Sequence, residues 1–191
     1  SGGLVGSEMC IRDSNNTAVG YNALVTNTTG SANVAVGAIS LDANTTGQYN
    51  TAIGYESLSA NTTADENTAL GSFTLRYNTT GGNNTAAGYK ALEANTTASN
   101  NTAFGFEALN DNTTGTANTA VGKDALKLNT TADNNTAMGF DALEQNTTGG
   151  SNAAFGAYAL ASVTTGSQNT AVGRGALSDN TGSQNTAVGY N

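Results

Sequence analysis

The chain has 191 residues and a net charge of −8, with 37% hydrophobic and 10% charged residues and no His, Pro or Trp. So little apolar mass excludes an ordinary globular core, and the shortage of charge and Pro excludes the usual make-up of a disordered chain. The acidic balance and six scattered Lys and Arg exclude binding to a phosphate backbone, so no nucleic-acid partner is expected.

Residues 1–14, SGGLVGSEMCIRDS, share nothing with the rest of the chain. They read either as translated adapter sequence, an assembly artefact, or as an upstream linker, and are set aside from the functional reading. They hold the single Cys10, which cannot support a disulfide framework. There is no signal-peptide core and no apolar run long enough to cross a bilayer, so no membrane insertion is expected in this segment. The chain opens without Met and stops within a phrase, and so reads as part of a longer protein.

From residue 15 onward one phrase recurs. The Asn that opens it stands at Asn16, Asn33, Asn50, Asn67, Asn84, Asn101, Asn118, Asn135, Asn152 and Asn169, always 17 residues apart, and then at Asn185 after a step of 16. Written N-T-A-V-G-Y-x-A-L-x-x-N-T-T-G-x-x, the unit has Gly at position five in every copy, including Gly20, Gly54, Gly88 and Gly122. Position nine is always Leu, as at Leu24, Leu58, Leu92 and Leu126. Position four is apolar but varied, and charges gather at positions six, seven, ten, eleven, sixteen and seventeen.

A unit this short with two large apolar side chains, at four and nine, cannot pay for its own ordering, so it must stack on its neighbours. Seventeen residues are too few for a helical pair. The spacing therefore predicts an all-β fold: a β-solenoid of ten-plus coils, one per unit, rising about 4.8 Å each.

Within a coil, positions two to four favour a strand, and Gly at five suits a positive φ or the close approach of another backbone. Positions six to eleven ("YKALEA", "FEALND") are rich in helix formers, which predicts a single helical turn, with a second short strand as the competing reading. "NTTG" then turns the chain. Stacked Asn at position twelve, including Asn27, Asn61, Asn95 and Asn129, is expected to form an amide ladder, interrupted at Val163. Gly or Ala at position fifteen argues against a strict need for positive φ there.

Both faces of the strand are uncharged, Thr and Val on one side, Ala and Gly on the other. A strand buried on both faces reads this way, which predicts lateral association of chains, with the charged positions outward and the small-residue face near the partner.

"NTAVG", "NVAVG" and "NTAIG" resemble the "S-V-A-I-G" coils of YadA-like heads in trimeric autotransporter adhesins. The fuller phrase "NTAVGYNAL…NTTG" is similar to repeat shafts of phage-type tail fibres that carry an intramolecular chaperone domain. The resemblance runs from Asn16 to Asn191 and implies parallel homotrimers of stacked β-coils presented outside the cell or at its surface.

Chemistry is scarce. With no His, and the one thiol in the leader, the common base and nucleophile pairings are missing, so no enzyme, cofactor or metal site is expected. Pairs such as Asp65–Glu66 and Asp141–Glu144 read as surface charge. The aromatic row at position six (Tyr21, Tyr55, Tyr89, Phe106, Phe140, Tyr190) reads as a cover over a thin core or as a stacking track for sugars. Asn-Thr-Thr also matches the N-glycosylation sequon, a match that a ladder Asn at position twelve would create by periodicity alone.

The expected function is thus a non-catalytic structural or adhesive repeat segment of an extracellular, cell-surface or phage fibre. Its partners would be copies of itself, as trimer or filament, and a surface or glycan receptor. An ice-binding solenoid is the alternative, weakened because the adjacent Thr28 and Thr29 would point to opposite sides of a strand. A carbohydrate-active β-helix is more remote.

Overall fold

The computed structural model describes residues 15–190. The leader, and with it the choice between artefact and linker, lies outside the described residues, as does residue 191. The described chain is an all-β solenoid: ten coils and the opening of an eleventh, each contributing one strand of three residues. These run from β1 (Thr17–Val19), β2 (Val34–Val36) and β3 (Thr51–Ile53) to β11 (Thr186–Val188). All eleven lie parallel in one sheet, in sequence order.

Register follows the repeat. Thr17 lies beside Val34, Ala18 beside Ala35 and Val19 beside Val36, so each unit position stacks on itself. Thr170 still lies beside Thr186, so the shorter last step is absorbed in the turn and leaves the strands aligned. Ten steps at the usual strand spacing make a rod about 48 Å long.

The strands are short, but the ladder continues around the coil. At the strand, the Thr17 N–H donates to Asn33 O in the following coil (2.8 Å) and the Gly37 N–H to Val19 O in the preceding one (2.8 Å). Past the glycine, the Ile39 N–H donates back to Tyr21 O (2.8 Å) and the Leu41 N–H forward to Ser57 O (3.0 Å). In the NTTG turn, the Thr28 N–H reaches Thr45 O at 2.9 Å. Backbone groups that a globular fold would pair within one element are paired here between coils.

Positions six to eleven form neither a helical turn nor a second strand. They are a run of turns in which positions seven and nine are left-handed: Lys90 and Leu92 have φ of 57° and 56°, Asp124 and Leu126 of 56° and 52°. A helical turn would close its N–H groups on its own carbonyls. The left-handed residues instead swing alternate N–H groups along the rod axis, where neighbouring coils accept them. Holding non-glycine residues there costs about 1–2 kcal/mol each, which the inter-coil bonds must offset.

The inside of the strand is also the reverse of the expected one. The Ala of position three, from Ala35 to Ala171, is 0% exposed and forms the core with Ala at position eight and Leu at nine. Position four faces outward. The small-residue face is therefore covered by the chain's own coil and is not available to a partner. Position fifteen accepts Ala in buried sites (Ala64, Ala98, Ala132), and Gly47 has no left-handed φ there.

Candidate functional site

The Gly row abuts the backbone of the next coil, and the Leu row fills the core. Gly20, Gly54, Gly88 and Gly122 have φ of 131°, 136°, 134° and 136°. A Cβ on Gly20 would lie 2.6 Å from the carbonyl oxygen of Gly37 in the next coil, and one on Gly54 would lie 2.5 Å from that of Gly71. Gly88 and Gly122 face the carbonyls of Gly105 and Gly139 in the same way. Both the backbone angle and the contact exclude a side chain. Leu24, Leu58, Leu92 and Leu126 are all 0% exposed.

Two asparagine ladders run through the rod. In the position-twelve row, the Asn44 Nδ2 donates to Asn27 Oδ1 at 2.9 Å, Asn61 to Asn44 at 2.9 Å and Asn129 to Asn112 at 2.8 Å. Each of these amides also donates to the carbonyl three residues on, as Asn95 does to Ala98 O at 3.0 Å. The second ladder has no counterpart in the sequence reading. At position one, the Asn33 Nδ2 closes the coil onto Gly47 O (2.8 Å) while its backbone N–H donates to Asn16 Oδ1 (2.8 Å). Its signal is the repeat itself: the same Asn opens every unit, a constancy that a merely solvated residue does not need.

Outside, three columns run side by side. Position two is Thr in most coils, and position four exposes Ile53 (41%), Leu70 (39%), Phe104 (42%) and Met138 (42%). Position six carries the aromatic row, which the structure joins to residues the repeat does not single out. Tyr55 and Phe73 lie edge to face at 5.3 Å, Phe73 and Tyr89 at 5.8 Å, and Tyr89 stacks on Phe106 at 5.5 Å. Lys123 then sits over Phe106 and Phe140, and Arg174 over Tyr158 and Tyr190. Ring faces are thus partly occupied by neighbours in the same column, while every ring of the position-six row stays at least 40% exposed.

The charged positions seven and ten form half-buried networks, so they are less outward than expected. Arg76 pairs with Glu56 (2.5 Å) and Glu93 (3.9 Å), and Lys127 with Glu107 (2.6 Å) and Asp124 (3.4 Å). Glu93 and Asp124 are buried. Burial pushes the Asp111, Asp141 and Glu144 carboxyls above their ordinary values. Asp42 is raised for the same reason, against the pull of its own and Ala43's N–H groups, and its Oδ1 is buried without a hydrogen-bond partner.

Among the described residues no group of three acidic, His or Cys side chains could hold a metal ion, and no helix is long and apolar enough to cross a membrane. Compared with known proteins, the chain matches no family model, no curated protein and no solved structure.

Proposed function

We propose that this chain is a non-catalytic structural and adhesive repeat segment of an extracellular, cell-surface or phage fibre, working as a homo-oligomer. One observation carries the reading: an outer eleven-strand face without a single charge at positions two and four, whose position-four side chains stand out as an apolar column along the described rod. A contiguous apolar strip of this kind marks an interaction surface. It is the large-residue face, not the small-residue one, that a second copy would cover. A surface or glycan receptor would meet the columns left outside that contact.

Sedimentation and electron microscopy of the full chain test the proposal together. The expected result is rods with a mass that is a multiple of 19.0 kDa; a stable single chain would sink the self-association.

The position-two Thr column, outward at Thr51, Thr68, Thr85, Thr102, Thr119 and Thr136, lends some support to ice binding. Beside it, however, stand Leu70, Ala87 and Phe104 in successive coils, side chains of such unequal size that the face offers no regular lattice. A thermal-hysteresis measurement separates the two readings.

A further inference from the structure

The Asn-x-Ser/Thr sequon occurs at two coil positions with opposite environments. At position twelve it is Asn-Thr-Thr, from Asn27 to Asn146. At position seventeen it is Asn-Asn-Thr, within the rod at Asn83, Asn100 and Asn134 and once more at Asn15, where the first coil opens. We propose that the rod sorts these asparagines into two classes of N-glycan acceptor. Asn83, Asn100 and Asn134 are open in the folded chain. The position-twelve residues from Asn44 to Asn146, all 0% exposed, accept a glycan only before their coil closes, and a glycan there prevents closure; Asn27, half-exposed with one acceptor in the first coil, stands outside this class.

The chemistry of transfer decides this. The amide Nδ2 forms a bond to C1 of a saccharide carried on a lipid diphosphate. The C1–oxygen bond breaks, the lipid diphosphate leaves with the electron pair, and Nδ2 gives up one proton. A modified asparagine therefore keeps a single N–H. Asn61 needs two, for Asn44 Oδ1 (2.9 Å) and Ala64 O (3.1 Å). Asn95 likewise serves Asn78 Oδ1 (2.8 Å) and Ala98 O (3.0 Å), and Asn129 serves Asn112 Oδ1 (2.8 Å) and Ala132 O (3.1 Å). All three are 0% exposed. Modification would remove one of the two bonds and require a saccharide where no solvent reaches, leaving a buried carbonyl or amide oxygen unpaired.

Position seventeen is different. Asn83, Asn100 and Asn134 are exposed, with left-handed φ of 59°, 64° and 60°. Their backbone N–H groups are held by Asp65 O (3.2 Å), Gly82 O (3.2 Å) and Thr116 O (3.0 Å) in the preceding coil. The backbone is fixed there while the side chain stays in solvent. The rod therefore belongs where chains fold before, or without, asparagine glycosylation.

Position fourteen supplies the control. Its Thr completes each position-twelve sequon yet is exposed in every coil from Thr29 to Thr148. Replacing those eight residues (Thr29, Thr46, Thr63, Thr80, Thr97, Thr114, Thr131 and Thr148) by Ala removes the sequons and leaves the ladder intact. Both full chains would be secreted through a glycosylating eukaryotic cell and separated into folded and aggregated fractions. Occupancy would be read by peptide mass after a glycosidase converts each modified Asn to Asp. The expected result is folded parent occupied at Asn83, Asn100 and Asn134 and bare from Asn44 to Asn146, with glycans at those seven position-twelve residues confined to the aggregate and a larger folded fraction for the eightfold variant. A folded rod carrying a glycan at Asn61, Asn95 or Asn129 overturns the proposal. So does an empty position seventeen in the folded fraction, or equal failure of parent and variant to fold.

Discussion

Asn146 stacks on Val163, and its amide oxygen has no donor to accept from. The Asn146 Nδ2 donates to Asn129 Oδ1 (3.0 Å) and Gly149 O (2.9 Å), but its Oδ1 is buried without a hydrogen-bond partner because the next coil offers an isopropyl group there. An orphaned acceptor costs about 1–3 kcal/mol, and the valine's own apolar burial returns about 1.5–2 kcal/mol. Val163→Asn should therefore fall between a loss of about 1 and a gain of about 1.5 kcal/mol, with slower amide exchange at the junction of the eighth and ninth coils. The converse, Asn95→Val, leaves Asn78 Oδ1 unpaired and should cost about 1–3 kcal/mol. Urea melts of both variants check this; a stabilised Asn95→Val would show that the ladder is incidental.

Leu92→Ala removes a fully buried side chain from mid-rod and should cost about 2–5 kcal/mol. Gly88→Val should do at least as much harm, since its Cβ would strike the Gly105 carbonyl at a φ of 134°. Thr97→Ala, on the solvent side of the turn, should stay within about 0.5 kcal/mol of the parent. Equal tolerance of all three in denaturant melts would mean that the core lies elsewhere. Glu93→Ala, an obvious surface control by sequence alone, is unsuitable because Glu93 is buried beside Arg76 and Lys90.

The left-handed residues make a less obvious prediction. Ala117 sits at φ 55° at position seventeen and is exposed, so little packing is at stake there. Ala117→Gly relieves about 1–2 kcal/mol of backbone strain and adds about 0.5–1 kcal/mol of unfolded-chain entropy. The net should be a gain of about 0–1.5 kcal/mol, where the same change in a helix would be a loss. A thermal melt showing a clear loss would refute the strain.

Acid should stabilise this rod before it harms it. Burial raises the folded-state pKa of Asp42, Asp111, Asp141 and Glu144 above the unfolded value. Such groups bind protons more readily when folded, so their penalty at neutral pH fades as pH falls through the raised values and is gone below the ordinary carboxylate pKa of about 4. The melting temperature should rise from pH 7 to about pH 4.5, and Asp42→Asn should flatten that rise. A steady fall over the same window would show that the ion pairs of Arg76 and Lys127 outweigh the buried carboxylates.

If position four is the self-association face, Ile53→Asp and Phe104→Asp place a charge where a second copy would pack, while the folded single chain keeps that charge in water. Sedimentation should then give the mass of one chain with an unchanged circular dichroism spectrum. Thr131→Asp, on the exposed turn, should leave the oligomer intact. Loss of association by Thr131→Asp alone would move the interface to the turn side.

Much of this fold is legible in the sequence because stacking multiplies every constraint by the number of coils. Gly at five and Leu at nine recur without drift, and Asn at twelve with the single break at Val163, because a neighbouring backbone, a cavity wall or an amide partner leaves little alternative. Size is what misleads. The strand's large residues read as core and its small ones as contact surface, but the space between strand and Leu92 accommodates only Ala, so the larger side chains go outside. The stretch from six to eleven misleads because Ala, Leu, Glu and Lys favour helices in isolation, whereas here inter-coil hydrogen bonds impose left-handed angles that no local preference announces. The position-one ladder escapes a reading of the residues alone because Asn next to Thr looks like a turn.

The 17-residue register also governs how the rod is made. Each new coil bonds to the coil just completed, so closing it costs about 2.5 kcal/mol of loop entropy whether it is the third or the thirtieth. Contacts stay local in sequence, and a nascent chain can zip up from the ribosome without waiting for its far end. Duplicating or deleting 51 nucleotides lengthens or shortens the rod by about 4.8 Å and leaves every other coil with the neighbours it needs, so a gene can tune the reach of the solenoid without redesigning it.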